Sequence, residues 1–327
     1  MNTSLYPFLF EPIFKEKIWG GRRFETVLGK DTGHMEHCGE SWELSGLIGD
    51  ESVISNGFLS ENNLNEVLEI YLTDIVGEKN YEKYGLGFPL LIKFIDAHDN
   101  LSVQVHPDDE LAKQKYGQNG KTEMWYVVDA EPGAHLLAGL TEKITPEQYA
   151  AKVADGTITD VLARYEVKPG DVFFLPAGRI HAICGGCFIA EIQQTSNINY
   201  RIYDYGRLGL DGKPREVHTE LAKDAIDYTV YPTYRTDYTP AKDEEVEVVS
   251  CQYFTTSIYD LTLPYAKDLS QIDSFLVVMC LTGSGTIEVD GEEVPVHQGE
   301  TVLIPAAADD ICFVPDGSMK VLTSYIR

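Results

Sequence analysis

Residues 169–183, PGDVFFLPAGRIHAI, decide the fold, because residues 298–312, QGETVLIPAAADDIC, repeat their pattern. The alignment pairs Gly170 with Gly299, Pro176 with Pro305, and His181 with Asp310. Each copy contains a glycine and an acid, a short apolar run, Pro-Ala, and then a return of the chain. A repeated unit of this kind predicts two copies of one strand-turn-strand architecture.

The rest of the chain is also rich in short segments of β character. They are enriched in Val, Ile, Phe and Tyr and bounded by Gly, Pro and Asp, which favours strands. The segments are FPLLIKFID, LSVQV, EMWYVVD, DVFFLP, CFIAEIQQ, INYRIYDY, FLVVMCLTG, GTIEVDG and TVLIP. Helical periodicity is confined to a few places, of which the best are about residues 60–84, 145–154 and 218–227, with Thr145 as the N-cap of the second. The insertion PDDELAKQKYGQNGKT is long enough for a further short helix and a loop.

Composition excludes several classes of protein. The 327 residues are 43% apolar and 24% charged, which is typical of a folded globular chain. The net charge of −26 repels phosphate backbones, so we predict no nucleic-acid partner, although a few local Lys and Arg side chains can still hold one phosphate. No apolar run approaches the roughly 20 residues that span a bilayer, so we predict no membrane partner.

The sequence indicates a cytoplasmic location. The first 21 residues, MNTSLYPFLFEPIFKEKIWGG, lack the basic start, continuous apolar centre and cleavage site of a secretory signal. The cysteines are scattered along a long chain, which is unlike a small disulfide scaffold. We therefore predict reduced thiols at Cys38, Cys184, Cys187, Cys251, Cys280 and Cys312.

The first copy of the repeat carries a more specific pattern. Its glycines, proline and histidine fit G-x5-P-x-G-x2-H, through Gly170, Pro176, Gly178 and His181. This resembles the second motif of the cupin superfamily, whose members are jelly-roll β-barrels. The resemblance implies a mostly β fold of two cupin-type jelly-roll barrels with a few peripheral helices.

A second stretch, LSVQVHPDDE at residues 101–110, supplies partners for His181. Gln104 and His106 are two apart in an alternating run, so they lie on the same face of a strand. A cupin first motif usually has His-x-His followed by Glu; here Gln104 stands in the place of the first His, and Glu123 is the next suitable carboxylate. Together Gln104, His106, Glu123 and His181 offer two nitrogens and two oxygens, a set that suits Zn²⁺.

Other interpretations of these residues stay open at this stage. Oxygen-rich ligand sets also admit Mn²⁺ or Fe²⁺, so the donor atoms alone do not select zinc. A single strand histidine is more often a packed or surface residue than a ligand. Only the joint pattern favours a metal site.

Four further segments carry a closer resemblance. LSVQVHPDD, GKTEMWYVV, PAGRIHAI and EIQQTSNINYRIYDYGR, in this order, look like the signatures of a type I mannose-6-phosphate isomerase in its short bacterial form. EPIFKEKIWGG and GESWELS near the N-terminus are similar to that form as well. The resemblance implies one zinc ion per chain, held by Gln104, His106, Glu123 and His181, and interconversion of mannose 6-phosphate and fructose 6-phosphate.

The resemblance also implies roles for other residues. Arg201 falls on the catalytic arginine, Lys121 on a substrate-contacting lysine and Glu191 on an active-site acid. Ser102 falls on a serine near the phosphate end of the pocket. Lys93 lies inside the apolar run LLIKFID and is predicted either to reach the pocket or to lie along a sheet edge.

The chemistry of aldose-ketose isomerisation limits these roles. The reaction needs a base and a group that stabilises an enediolate. Arg201 stays protonated, so it is assigned electrostatic stabilisation, and the proton shuttle is assigned to Glu191 or a metal-bound water, with Lys121 as the weaker candidate. Longer relatives often have His and Pro where this chain has Gly120 and Thr122, and Asp where it has Asn197, so the ring-opening acid is not assigned.

Two domains are predicted. Residues 228–245, YTVYPTYRTDYTPAKDEE, have the composition of a linker. The division is a catalytic cupin-type domain at 1–235, with the metal site and helical insertions, and a C-terminal cupin-like barrel without metal ligands at 236–327.

Two other functions remain as alternatives. One is an Fe²⁺-dependent cupin dioxygenase, and the other is a sugar-binding cupin without catalytic activity. The sequence does not give the oligomeric state.

Overall fold

The structure, a computed structural model, describes residues 5–327, and most of its regular elements are strands. The described chain divides into two compact units. The site unit, named for the predicted ligands that it contains, comprises Phe14–Ser41 and Lys93–Thr236. The terminal unit comprises the described residues up to Ile13, Trp42–Ile92 and Asp237–Arg327.

Two sheets contain the strands of the site unit. The smaller sheet has five strands, in the order Leu162–Glu166, His135–Leu140, His181–Ile183, Val103–Val105 and Tyr200–Tyr203. The larger has seven, in the order Arg235–Thr236, Val172–Leu175, Glu123–Ala130, Cys187–Gln194, Leu90–Ala97, Ile13–Gly21 and Cys38–Leu44. The two sheets share a core that includes Trp125, Phe173, Ile189, Leu136 and Ile183, as expected where alternate residues of both sheets face inward.

A second core covers the other face of the five-stranded sheet. Val103, Val105 and Leu137 of that sheet pack with Tyr149 and Ala222 of two helices. Burial on both faces explains why these strands consist largely of apolar residues.

The terminal unit is built on a nine-stranded antiparallel sheet. Its main path runs Glu245–Ser250, Thr255–Leu261, Asp310–Tyr325, Leu276–Val289, Thr301–Ile304, Phe8–Glu11 and Val53–Ile54. Tyr265–Asp268 and Glu292–His297 pair with its two longest strands, and Gly46–Leu47 and Asp50–Glu51 form a separate two-stranded sheet. The core of this unit includes Tyr259, Phe313, Val278, Ile304 and Leu9.

The repeat seen in the sequence is present in the structure. Gly170 and Gly299 have φ values of 94° and 87°, so both turns need a residue without a Cβ. Each is followed by a strand, Val172–Leu175 or Thr301–Ile304, and then by a return strand that begins at His181 or Asp310. The predicted mostly β, cupin-type jelly-roll class is confirmed, with the qualification that each unit is made of open sheets rather than one closed barrel.

The helices are short and few. They are Arg23–Thr26, Leu64–Tyr71, Thr73–Val76, Glu78–Tyr84, Asp109–Tyr116, Pro146–Asp155 and Thr219–Ala225, with a 3-10 turn at Ile158–Val161. Thr145 is the N-cap of Pro146–Asp155 and forms a capping box with Gln148, as predicted. The predicted helix at 60–84 is instead three helices, because Leu72 and Gly77 have φ values of 47° and 89°, which no α-helix accommodates.

The unit boundaries differ from the predicted domains in one respect. The boundary at Thr236 lies one residue from the predicted one, but residues up to Ile13 and Trp42–Ile92 belong to the terminal unit rather than to the unit with the predicted ligands. Sheet pairing of Phe8 with Leu303 is one cause. The predicted linker also contributes structure, because Tyr234 is buried in the core of the site unit. No helix of the described chain is long and apolar enough to cross a bilayer.

Candidate active site

The structure brings all four predicted metal ligands together. One ligand atom from each of His106, Glu123 and His181 lies within 4.8 Å of the others. The Gln104 amide joins them, with Nε2 at 3.2 Å from His181 Nε2. His106, Glu123 and His181 are buried, so the group forms a compact polar centre between the two sheets of the site unit.

Sheet register places these side chains. Gln104 and His181 are direct partners on adjacent strands, so their side chains project from the same face. His106 follows two residues after Gln104 on that face, directly after its strand ends. Glu123 begins a strand of the opposite sheet, where it pairs with Leu175 on one side and Gln193 on the other.

Both imidazoles present the same nitrogen to the centre. His106 Nδ1 lies 3.1 Å from Ile198 O, and His181 Nδ1 lies 2.7 Å from Arg179 O. A carbonyl oxygen only accepts, so each Nδ1 carries the proton and each Nε2 directs a lone pair inward. Backbone contacts of this kind commonly orient histidine ligands of metals.

Three of the inward atoms, His106 Nε2 and the two oxygens of Glu123, lie close to their neighbours without forming directed hydrogen bonds. His106 Nε2 and His181 Nε2 lie 3.5 Å and 3.2 Å from the oxygens of Glu123. His106 Nε2 and both Glu123 oxygens are nevertheless buried and make no hydrogen bond of acceptable geometry. Buried polar atoms normally have such a partner, so this convergence fits a bound cation.

The electrostatics of the centre also fit a divalent cation. Burial is the main cause that lowers the pKa of His106, to about 3, and it lowers the pKa of His181 as well, so both rings are neutral. Burial alone would raise the pKa of Glu123, but that pKa is held well below its usual value, and the Lys121 ammonium is the largest cause that lowers it. Neutral imidazoles and an ionised carboxylate are the forms that bind metals.

Lys121 lies beside this centre as an ion-pair partner. Its Nζ is 2.9 Å from Glu123 Oε2. Burial would lower the pKa of Lys121, but the carboxylates of Glu123 and Glu191 outweigh it and raise that pKa. Lys121 is therefore a cation in this arrangement, which does not suit a proton acceptor.

The predicted residues that are not ligands line one cavity next to the centre. The wall includes Lys93, Ser102, Lys121, Glu191 and Arg201. Gln104 lies on the same wall, so the cavity reaches the cluster of predicted ligands. The alternative that Lys93 lies along a sheet edge is wrong, because its strand is an interior strand of the seven-stranded sheet.

Glu191 is held from two sides. Trp125 Nε1 donates to Glu191 Oε2 at 2.9 Å, and Lys93 Nζ lies 3.2 Å from Oε1. Oε1 is buried and makes no hydrogen bond of its own. The same Trp125 ring packs edge-on against the His181 ring at 5.2 Å between centroids, so one side chain orients both the acid and a predicted ligand.

Arg201 reaches the cavity from the strand beside Gln104. Its Nη1 donates to Glu216 O at 2.8 Å, while its Nε is buried without a hydrogen bond. Among the described residues, no carboxylate lies within ion-pair distance of Arg201, whereas Arg207 and Arg215 both pair with Asp204. Burial is the main cause that lowers the pKa of Arg201, but a guanidinium remains charged at neutral pH.

Sequence reasoning missed part of the cavity wall. Lys17, Trp19, Glu40, Asn199 and Arg215 also line it. Lys17 Nζ lies 3.3 Å from Glu40, and Lys93 Nζ lies 3.8 Å from Glu40, so cations and carboxylates alternate along this wall. Lys17 and Glu40 lie in the two N-terminal segments that carry the family resemblance. That resemblance was the one sequence feature that could have indicated these two residues.

The two departures from the longer relatives have different structural settings. A Cβ at Gly120 would lie 2.4 Å from the backbone carbon of Asp108, so only glycine fits where the chain passes so closely before Lys121. Asn197 lines the cavity and is solvent-exposed.

The cysteines are free thiols, as predicted. Cys184 and Cys187 are both buried, and burial raises the pKa of each to about 12. Thiols of this kind are poor nucleophiles and poor metal ligands.

Family models match two parts of the chain. The model for the phosphomannose isomerase type I catalytic domain matches residues 8–143, a segment that includes Gln104, His106, Lys121 and Glu123. The model for the mannose-6-phosphate isomerase cupin domain matches residues 244–326.

Full-length relatives and a solved structure agree with these matches. The chain is 33% identical to the mannose-6-phosphate isomerase ManA of Bacillus subtilis, over 98% of this chain and 99% of that protein. It is 33% identical to a mannose-6-phosphate isomerase of Streptococcus mutans, over 96% and 98% respectively. A crystal structure of the mannose 6-phosphate isomerase from Bacillus subtilis superposes with a TM-score of 0.88 at 30% identity, covering 98% of this chain and 100% of that one.

Proposed function

The chain belongs to the type I phosphomannose isomerase family, and on that basis we propose that it interconverts mannose 6-phosphate and fructose 6-phosphate in the cavity of the site unit. The observation that carries this proposal is the convergence of His106, Glu123 and His181. These residues contact Gln104 and Lys121, which line a cavity together with Glu191 and Arg201. Catalysis is accordingly assigned to the predicted domain at 1–235, and within it to the site unit.

Gln104, His106, Glu123 and His181 are the proposed metal ligands. Zinc is the proposed metal, because two imidazoles with oxygen donors and space for an exogenous ligand are typical of catalytic zinc sites. The bound cation supplies positive charge to substrate oxygens on which negative charge develops during the reaction.

Glu191 is the proposed base. In the direction from mannose 6-phosphate, a proton leaves C2 and is returned to C1. At the same time the O2 hydroxyl loses its proton and O1 gains one. The Trp125 hydrogen bond fixes Glu191 through Oε2, and we assign the carbon-bound proton to Oε1, which makes no hydrogen bond and lies 3.2 Å from Lys93 Nζ. Lys121 is less suited to this role, because its ammonium is paired with Glu123 at 2.9 Å.

Arg201 and Ser102 are proposed to act on the substrate without accepting a proton. Arg201 has no carboxylate partner among the described residues, so its charge is available for the enediolate or for positioning the sugar phosphate. Ser102 is buried on the cavity wall beside Gln104, and we assign it to substrate binding together with Lys93.

Arg201→Ala is expected to keep the metal and to lose most turnover. Removal of one fixed donor to developing negative charge commonly lowers kcat by about 10²- to 10³-fold. The measurement is kcat for fructose 6-phosphate together with metal content per chain. Arg207→Ala is the matched control, because Arg207 is paired with Asp204 and does not line the cavity. Loss of the metal from Arg201→Ala, or equal loss of turnover in Arg207→Ala, would contradict the assigned role.

One assay tests the proposed function directly. The zinc-loaded protein is incubated with fructose 6-phosphate in heavy water, and the sugars are analysed by NMR. Mannose 6-phosphate with deuterium at C2 is the expected product, since a base exchanges its proton with solvent before returning it. Removal of the metal by a chelator is expected to stop the reaction, and added Zn²⁺ to restore it.

Other outcomes identify the alternatives. Binding of fructose 6-phosphate without product or deuterium exchange indicates a sugar-binding protein. Oxygen uptake without isomerisation indicates a dioxygenase. Either result rejects the proposed isomerase activity.

A further inference from the structure

The two polar atoms of the Gln104 amide face different neighbours. Nε2 lies 3.2 Å from His181 Nε2, and Oε1 accepts a hydrogen bond from Asn199 Nδ2 at 2.6 Å. Because His181 Nδ1 carries the proton that it donates to Arg179 O, His181 Nε2 is an acceptor for the Gln104 N–H. In this arrangement Gln104 directs its NH2 group, rather than its oxygen, towards the other ligands.

An amide binds a cation through its oxygen, and the two orientations of an amide occupy almost the same volume. When Gln104 Oε1 faces the centre, Gln104 Nε2 faces Asn199 and needs an acceptor there. Asn199 Nδ2 is a donor and does not serve. Asn199 Oδ1 does, and in this structure that oxygen is buried and makes no hydrogen bond.

We propose that Asn199 is a positioning residue that determines which atom of Gln104 is presented to the metal. The two amides reverse together, so that Gln104 Nε2 donates to Asn199 Oδ1 whenever Gln104 Oε1 is a ligand. This inference rests on the proposed function in one respect, which is that Gln104 is one of the metal ligands.

The sheet register explains why Asn199 has this position. Gln104 pairs with His181 on one neighbouring strand and with Arg201 on the other. Asn199 lies directly before the strand that carries Arg201, and its side chain reaches Gln104 Oε1. The Gln104 side chain thus lies between His181 and Asn199, with hydrogen-bonding groups on both sides.

Substitutions at position 199 distinguish the effect of a hydrogen-bond acceptor from the effect of side-chain packing. Asn199→Asp keeps an acceptor for Gln104 Nε2 and removes the competing donor. Asn199→Leu keeps a side chain of similar size and removes both groups. The measurement is the Zn²⁺ affinity of the full-length chain, determined by competition with a chromophoric chelator.

Zinc affinity is expected to fall by about 10- to 100-fold in Asn199→Leu, the usual effect of losing a group that orients a metal ligand. Asn199→Asp is expected to bind zinc at least as tightly as the unsubstituted chain. Equal affinities in the two variants, whether both are weakened or neither is, would overturn the proposal. Thermal unfolding of both variants shows whether each is folded.

The added charge of Asn199→Asp has its own control. Asn197 lines the same cavity two residues earlier, so Asn197→Asp adds the same charge without an acceptor beside Gln104. The double variant with Asn199→Leu and Asn197→Asp is expected to remain as weak as Asn199→Leu alone. Recovery of zinc affinity in that double variant would show that charge, rather than the acceptor, was responsible.

The visible spectrum of Co²⁺ gives a second readout, since it reports the number and type of ligands. Asn199→Leu is expected to give the spectrum of Gln104→Ala, and Asn199→Asp that of the unsubstituted chain. Failure of the unsubstituted chain to bind Zn²⁺ or Co²⁺ rejects the proposed metal site itself. Normal binding by that chain, with an unchanged affinity and spectrum in Asn199→Leu, rejects only the role of Asn199.

Discussion

His181→Ala is expected to release the metal and to abolish isomerisation. His181 Nε2 lies 3.2 Å from Glu123 Oε1 and 3.2 Å from Gln104 Nε2, so this imidazole contacts two of the other three proposed ligands. Loss of a group that only orients a ligand already weakens metal binding by about 10- to 100-fold, and loss of a ligand is expected to exceed that. Without the cation, turnover is expected to fall by at least about 10³-fold, because a metal Lewis acid contributes several kcal/mol to stabilising developing charge.

The measurements are the metal content after dialysis and kcat/KM with fructose 6-phosphate. His181 is 1% exposed, so its truncation to alanine leaves a cavity and lowers stability by about 2–5 kcal/mol, in the range seen for large buried side chains. His181→Leu retains most of the volume, offers no donor atom to a metal, and so separates this effect from the loss of the ligand. Both variants are expected to lose metal and the stability that metal binding supplies, and the alanine variant is expected to unfold at the lower temperature of the two because it also leaves a cavity.

A matched control is available in the same sheet. His135 lies on the strand paired with that of His181, and it contacts Arg164 rather than the metal centre. His135→Ala is expected to keep both metal and turnover. A His181→Ala protein that remains active and keeps all of its metal would contradict the proposed metal site.

Three of the proposed ligands, Gln104, His106 and His181, were predictable because they depend on short-range patterns. Alternation along a strand fixed Gln104 and His106 to one face, and the glycine turn at Gly170 fixed where the return strand carrying His181 begins. The repeat predicted the same turn at Gly299, and both glycines have positive φ values in the structure. Such features are determined by a few neighbouring residues.

Other features depend on partners that are distant in sequence. Glu40 reaches the cavity because its strand joins the same sheet as the strand that carries Lys93, and no local pattern specifies that pairing. The assignment of Trp42–Ile92 to the terminal unit likewise depends on distant contacts, such as those of Asp273 with the backbone of Glu78 and Lys79. Helical periodicity over residues 60–84 predicted the element type but not its interruption at Leu72.

The orientation of the Gln104 amide shows a further limit. The sequence predicts that Gln104 faces the centre. Which of its two polar atoms faces inward depends on the hydrogen bond from Asn199, which lies 95 positions away in the sequence. Periodicity places a side chain on a face and carries no information about which of its two polar atoms is inward. That choice is made by the neighbours, so only a structure reveals it.

Glu191→Gln is expected to lower kcat by about 10³-fold while leaving the metal in place, within the usual 10²- to 10⁴-fold contribution of a general base. The amide still offers an oxygen to Trp125 Nε1, so the position of the side chain is expected to be kept. It no longer accepts a proton from carbon. The diagnostic measurement is therefore loss of deuterium from C2-deuterated mannose 6-phosphate, which is expected to stop together with product formation.

Loss of the Lys93 ion pair is the main competing explanation for such a defect, since Lys93 Nζ lies 3.2 Å from Glu191 Oε1. Glu40→Gln is the matched control, because Glu40 is another carboxylate beside Lys93 on the same cavity wall. If Glu191 is the base, Glu40→Gln lowers kcat far less than Glu191→Gln does, because it weakens a contact with Lys93 without removing the proton acceptor. Equal losses of kcat in both variants would show that the defect comes from the disturbed Lys93 ion pairs rather than from loss of a base. Continued deuterium loss in Glu191→Gln would instead identify another base, and Lys121→Gln then tests the remaining side-chain candidate.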